Sequence, residues 1–182
     1  MRRLPGLLVV SAVGAMLCAP GLPARAQDLS WVCGNCRMSL GVGETYHFWA
    51  RTGGVVVPIT LMWDRDRYEL GVFRFTTRQE LEYSDRAPDR RVAGPYWGFS
   101  AVRRWELFGP QAARFFIGLG AAYKTEADRL NSTHWNFAPQ LGVRFRLSRG
   151  GARLELCLRH FSNAGLRLPN HGEDFFTLTY VF

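Results

Sequence analysis

Beyond residue 26 the chain has no apolar run long enough for a membrane-crossing helix, which needs about 20 residues, and it has no heptad repeat or long amphipathic helix. That excludes a helical membrane bundle and a coiled coil. The remaining way for such a chain to cross a bilayer is a closed β-barrel, in which every backbone group is paired. Acidic residues are scarce, 15 against 23 Lys and Arg, for a net charge of +8. Histidines are also few. His47, His134 and His171 have no ligand spacing with one another, so no metal site is argued. Nothing in the sequence calls for an organic cofactor either.

The N-terminus carries Arg2 and Arg3, an apolar run from Leu7 to Leu17, and Ala24-Arg25-Ala26, with no acidic residue. This pattern reads as a secretory signal peptide over 1–26, leaving a single domain over 27–182. Removing it takes away three arginines and lowers the net charge from +8 to +5. A basic chain suits nucleic acid, but export argues against that partner and favours an anionic surface.

Cys33-Gly34-Asn35-Cys36 is a C-x-x-C pair. A redox role would need a βαβ pattern, which does not follow; haem attachment would need His where Arg37 stands; zinc would need further ligands nearby. The reading left is a local disulfide in an oxidising compartment. Cys157 is a lone strand residue expected to pack.

What the chain does have is alternation. Along His134–Leu147, Trp135, Phe137, Pro139, Leu141, Val143, Phe145 and Leu147 share one face, and His134, Asn136, Ala138, Gln140, Gly142, Arg144 and Arg146 the other. Eight such segments are read, at 43–51, 55–64, 67–78, 93–107, 112–125, 134–147, 151–162 and 173–182. Pro58 and Pro139 are awkward within strands. Tight connections (64–67, 108–111, 148–151) alternate with longer ones (79–92, 126–133, 163–172), and aromatics gather at segment ends. The expected fold is all-β, an eight-stranded antiparallel transmembrane β-barrel of the bacterial outer membrane, with short periplasmic turns and longer external loops. The terminal Tyr180-Val181-Phe182 is similar to the assembly signal of such barrels. So small a barrel is filled by side chains, which argues against a transport channel. Inward arginines such as Arg144, Arg146, Arg153 and Arg159 are expected to pair with Glu155 and Glu106.

The chemistry-bearing residues sit on the last two segments. Leu154, Leu156, Leu158, His160 and Ser162 share one face, as do Asp174, Phe176, Leu178, Tyr180 and Phe182. In a strand, His160 and Ser162 are neighbours on that face, about 7 Å apart at Cα. The imidazole can take the hydroxyl proton, and a hydroxyl is a weak nucleophile without such a base. A carboxylate is needed to hold the imidazole's tautomer. Strand parity selects Asp174; Glu173 is the alternative acid, on the opposite face unless the strand bulges. Most His-x-Ser pairs are merely exposed polar residues. Here that bland reading must explain three polar groups aimed toward hydrocarbon, which is costly away from the interface.

His160-Phe161-Ser162-Asn163-Ala164-Gly165, followed by Pro169-Asn170-His171-Gly172, resembles the signature of the lipid A 3-O-deacylases, the PagL-type outer-membrane enzymes. The resemblance implies a serine carboxylic-ester hydrolase with lipid A, or lipopolysaccharide, as substrate. It implies Ser162 as nucleophile and His160 as base, with loss of the 3-linked hydroxyacyl chain and no cofactor. The family's acid is a glutamate at the position where Asp174 stands here, a departure that leaves Asp174 and Glu173 in competition. Oxyanion donors are available from the amides of Asn163 and Asn170 and the backbone of Ala164 and Gly165; the same residues also suit a tight loop. The Arg86–Arg91 cluster offers phosphate contacts or simply a solvated loop. Two rivals stand beside the esterase: a non-enzymatic structural or adhesive barrel, with no reactive serine, and a lipid A acyltransferase, which would need an acceptor site.

Overall fold

The computed structural model describes residues 36–46, 51–76, 79–81, 95–127, 131–147, 151–168, 170 and 172–182. The expected signal peptide, Cys33, His47, the Arg86–Arg91 cluster, Pro169 and His171 lie outside them. In chain order the strands are β1 (Arg37–Tyr46), β2 (Arg51–Trp63), β3 (Tyr68–Phe75), β4 (Gln79–Leu81), β5 (Tyr96–Glu106), β6 (Ala113–Lys124), β7 (Trp135–Phe137), β8 (Gln140–Arg146), β9 (Arg153–Phe161) and β10 (Glu173–Val181). Every pairing is antiparallel. β1 pairs with β10 on one side and β2 on the other, so the sheet closes on itself. Among the described residues β4 pairs with the start of β2 alone, and β7 and β8 are two halves of one stave. The result is the eight-staved barrel that the alternation predicts. Among the described residues no helix is long and apolar enough to cross a membrane.

The first segment is the one misplaced boundary of consequence. The alternation places it at 43–51, and it lies at Arg37–Tyr46. Glycine has weak strand preference, so Gly41 and Gly43 hid the pattern. They are there because β10 runs close: an added Cβ would fall 2.1 Å from the Leu178 carbonyl oxygen at Gly41 and 2.0 Å from that of Phe176 at Gly43. The other irregularity is Pro139. It lacks the N–H a strand needs, and the stave breaks there. Its carbonyl still accepts the His160 N–H at 3.0 Å, while the Ala138 N–H donates to Gly120 O at 2.9 Å.

The two faces are inverted relative to a water-soluble protein. Val57, Leu70, Leu119, Leu141, Leu156 and Phe176 are exposed on the outer wall, whereas Glu69, Arg104, Glu155 and Arg159 are buried in the interior. Such a wall is stable only against lipid. Aromatics ring both ends outside: Trp97 and Trp135 with Tyr123 at the long-loop end, Trp63 stacked on Tyr68 with Trp105 and Phe108 at the short-turn end. Inside, Phe73, Phe75, Tyr96, Phe161 and Phe175 form an aromatic plug toward the long-loop end.

The interior charges pair, though not all as expected. Arg144 meets Glu155 at 2.6 Å and Glu106 at 3.9 Å. Arg159 reaches Glu69 instead and Arg153 reaches Asp66, while Arg146 is exposed with no ion pair among the described residues. Arg104 bridges Glu69 at 3.1 Å and Glu155 at 3.0 Å. Alternation tells which face a residue takes, but the stagger of the staves decides which charges share a level.

Candidate active site

β9 and β10 place His160 directly opposite Asp174 and Glu173 opposite Phe161. The His160 N–H donates to Pro139 on the other side of β9. His160 and Asp174 are therefore a non-hydrogen-bonded cross-strand pair, the kind whose side chains stand closest. Imidazole Nδ1 lies 2.8 Å from Asp174 Oδ1. Their side chains are 35% and 12% exposed, so the pair sits on the outer wall with the carboxylate the more covered.

Glu173 faces the other way. It is fully buried in the interior, with its carboxylate 3.2 Å from Lys124 Nζ and accepting the Tyr96 hydroxyl. The carboxylate beside His160 is that of Asp174, with no bulge at the start of β10.

Ser162 follows β9 and is held by two backbone hydrogen bonds to Phe137: the Phe137 N–H donates to Ser162 O at 2.7 Å, and the Ser162 N–H to Phe137 O at 3.2 Å. This keeps the strand phase past the end of β9, so Ser162 stays on the face of His160 and Leu158. With Nδ1 turned to Asp174, Nε2 is the ring nitrogen available to accept a proton.

The loop after Ser162 is tightly built. Leu166 N–H closes a turn onto Asn163 O at 3.1 Å, with Ala164 at φ 53 and Gly165 at φ 80, a pair of left-handed centres that glycine tolerates best. Asn163 is buried and fully engaged. Its Oδ1 accepts the Gly165 N–H at 3.0 Å, its Nδ2 donates to Arg167 O at 2.8 Å, and its own N–H donates to Asn170 Oδ1 at 3.0 Å. Of the four oxyanion candidates, Asn163 and Gly165 thus spend their donors on the loop. The Ala164 N–H and Asn170 Nδ2 make no hydrogen bond among the described residues.

Several residues that frame this arrangement are not among the candidate site residues read from the sequence, although Gly172 belongs to the quoted signature. Gly172 has φ +74, and a Cβ added to it would meet His160 Cε1 at 2.3 Å and Nε2 at 2.9 Å. The imidazole rests on bare backbone there. Asn131, fully buried, donates to Asn136 Oδ1 at 2.6 Å and to Phe161 O at 3.2 Å, bracing the chain between His160 and Ser162. Only the pairing of distant segments brings Asn131, Phe137 and Pro139 here, so no local spacing could have announced them.

Cys36 is disulfide-bonded and Cys157 is free and buried. Among the described residues no group of three or more His, Cys, Asp or Glu is arranged to hold a metal ion. A cavity of about 520 Å³ opens at the opposite mouth, lined by Arg65, Arg104, Phe116 and Arg144 among others. The His160–Ser162–Asp174 site is instead a patch on the outer wall.

Residues 52–182 match the sequence model of the family described as lipid A 3-O-deacylase (PagL). The lipid A deacylase PagL of Bordetella bronchiseptica (strain ATCC BAA-588 / NCTC 13252 / RB50) is 33% identical over 101 residues, 53% of this chain and 55% of that protein. The match thus spans about half of each. The crystal structure of the outer membrane enzyme PagL superposes with a TM-score of 0.50 at 20% identity, covering 79% of this chain and 98% of that one. Neisserial surface protein A (NspA) has a TM-score of 0.51 at 9% identity, covering 80% and 93%. At those identities the structural likenesses speak to the barrel fold alone, a fold that hosts differently described proteins.

Proposed function

The chain belongs to the lipid A 3-O-deacylase (PagL) family, and from that premise we propose that it is an outer-membrane serine esterase that removes the 3-O-linked acyl chain of lipid A. Ser162 Oγ attacks the ester carbonyl while His160 Nε2 takes its proton. Asp174 holds Nδ1–H and stabilises the imidazolium that forms. The negative charge that develops on the carbonyl oxygen meets Asn170 Nδ2 and the Ala164 N–H. His160 then returns the proton to the sugar oxygen, which leaves as a hydroxyl. Water, deprotonated by the same imidazole, attacks the acyl-serine, and the imidazolium returns that proton to Ser162 Oγ as the free fatty acid leaves. No cofactor enters these steps.

The observation that carries this reading is the 2.8 Å contact between His160 Nδ1 and Asp174 Oδ1 on a wall otherwise clad in Leu, Phe and Trp. A hydrogen-bonded His–carboxylate pair facing the lipid side costs stability that a purely structural barrel has no reason to bear. Its height fits the chemistry too. The pair lies at the long-loop end, where the ester linkages of an outer-leaflet glycolipid meet the hydrocarbon.

The test is mass spectrometry of lipid A from a host lacking the activity, with and without the chain. Loss of one hydroxyacyl mass, abolished by Ser162→Ala with the barrel still folded, supports the reading. An unchanged spectrum favours the structural rival, and a gain of acyl mass favours the transferase.

A further inference from the structure

We propose that Leu166 and Leu168 form a hydrophobic spur that inserts among the acyl chains of the outer leaflet and sets the depth at which Ser162 meets its ester. The proposal rests on the reading of Ser162 as nucleophile, but its first test does not.

Leu166 is 82% and Leu168 80% exposed, more than any other large apolar residue described. Loose structure does not account for this, because the backbone between them is gripped twice. Asn163 Nδ2 donates to the Arg167 carbonyl at 2.8 Å and Ser132 Oγ donates to it at 3.3 Å. The turn hydrogen bond from Leu166 N–H to Asn163 O adds a third hold. A braced loop thus presents two leucines outward. Leaving them in water is unfavourable, and no described part of the chain covers them.

Two features identify the covering partner as hydrocarbon. The loop that carries the spur leaves β9 where the outer wall is already apolar, with Trp135, Phe137 and Phe176 exposed beside Ser162 and Leu158. Leucine also offers nothing to the sugar hydroxyls and phosphates above that level, whereas Arg167 between the two leucines does, with an aliphatic stem that lets its head reach them. The order apolar, cationic, apolar suits a segment lying along the hydrocarbon–headgroup boundary. Because the Arg167 carbonyl is tied through Asn163, and Asn163 through Asn170, to the chain around Ser162, insertion of the spur is mechanically coupled to the nucleophile.

The experiment places a spin label at Leu166→Cys and, separately, at Leu168→Cys in the folded barrel in lipopolysaccharide-containing vesicles. Cys157 is buried and Cys36 is disulfide-bonded, so the introduced thiol takes the label. The expected result is accessibility to oxygen with exclusion of a water-soluble nickel chelate, matching a label at Leu156→Cys on the mid-wall. Nickel accessibility equal to that of a label at Arg67→Cys, on the short-turn mouth, overturns the proposal. So does dipolar broadening from a second copy seated on the spur. In the same vesicles, Leu166→Ser/Leu168→Ser lowers kcat/KM on lipid A by about tenfold or more, and Leu166→Met/Leu168→Met restores it; equal rates for the serine pair and the parent would remove the depth-setting role. Labels in hydrocarbon with no activity in any variant would instead count against the esterase reading and leave the spur standing.

Discussion

Replacing Gly172 with alanine tests the imidazole's seat with a single methyl group. The new Cβ would lie 2.3 Å from His160 Cε1, 2.9 Å from Nε2 and 3.2 Å from Nδ1. Ordinary carbon contacts need about 3.5–4.0 Å, so the ring must retreat by roughly 1 Å, away from the position that meets Asp174 and from which it would serve Ser162 in the proposed mechanism. A displacement of about 1 Å in a catalytic constellation costs on the order of 10²-fold in rate. Alanine at φ +74 also strains the backbone, by roughly 1–2 kcal/mol. Gly151→Ala separates the two effects. Gly151 has φ +96 with nothing within 4 Å of an added Cβ, so it carries the backbone penalty in a turn remote from the site. Initial rates of deacylation on purified lipid A in detergent are expected to fall about 10²-fold for Gly172→Ala and to stay within about twofold for Gly151→Ala. Heat-modifiable gel mobility reports that both barrels are folded. Near-parental activity of Gly172→Ala, or an equal loss in Gly151→Ala, would refute the reasoning.

Further substitutions separate the remaining roles. Asp174→Asn keeps the shape of the pair but removes the charge that stabilises the imidazolium, and the same rate assay should fall by about 10⁴-fold if the coupling resembles a buried triad, less because this pair is partly exposed. Glu173→Gln strips buried Lys124 of its carboxylate at 3.2 Å; urea titration in lipid vesicles should show a loss of about 3–5 kcal/mol while the protein that remains folded keeps most of its rate. Ser162→Ala should abolish both deacylation and labelling by a serine-reactive, lipid-like probe, with gel mobility unchanged. Asn170→Ala removes a candidate oxyanion donor together with the acceptor that holds the Asn163 N–H, and kcat is expected to drop by about 10²–10³-fold, more than for Ala substitutions elsewhere in the loop.

How much of this was legible in sequence depended on the range of the interaction. Strand parity is local and has period 2, so the segment Leu154–Ser162 by itself assigned His160 to the lipid side and Glu155 and Arg159 to the interior. The same parity preferred Asp174 over Glu173. β10 begins without a bulge, and the cross-strand register His160↔Asp174 sets the Asp174 carboxylate beside the imidazole. The parity did not say that Glu173 would be fully buried and tied to Lys124 and Tyr96. A substitution there that looks harmless in sequence is therefore a stability lesion. Asn163 was open to two readings, and its three hydrogen bonds within the loop turn it toward architecture.

The sequence by itself determined the alternation of seven of the eight segments, the face their residues take, and the His-x-Ser spacing, because these follow from geometry within one strand. Only the tertiary structure decided where β1 begins, which arginine meets which carboxylate, and what lies beneath the imidazole. Those outcomes depend on the stagger of staves around a closed ring, and stagger is set by contacts between segments far apart in the chain. Gly41 and Gly43 become part of a strand because β10 passes close beside them, and Gly172 becomes a seat for His160 because the pairing of β9 with β10 lays the imidazole against its backbone.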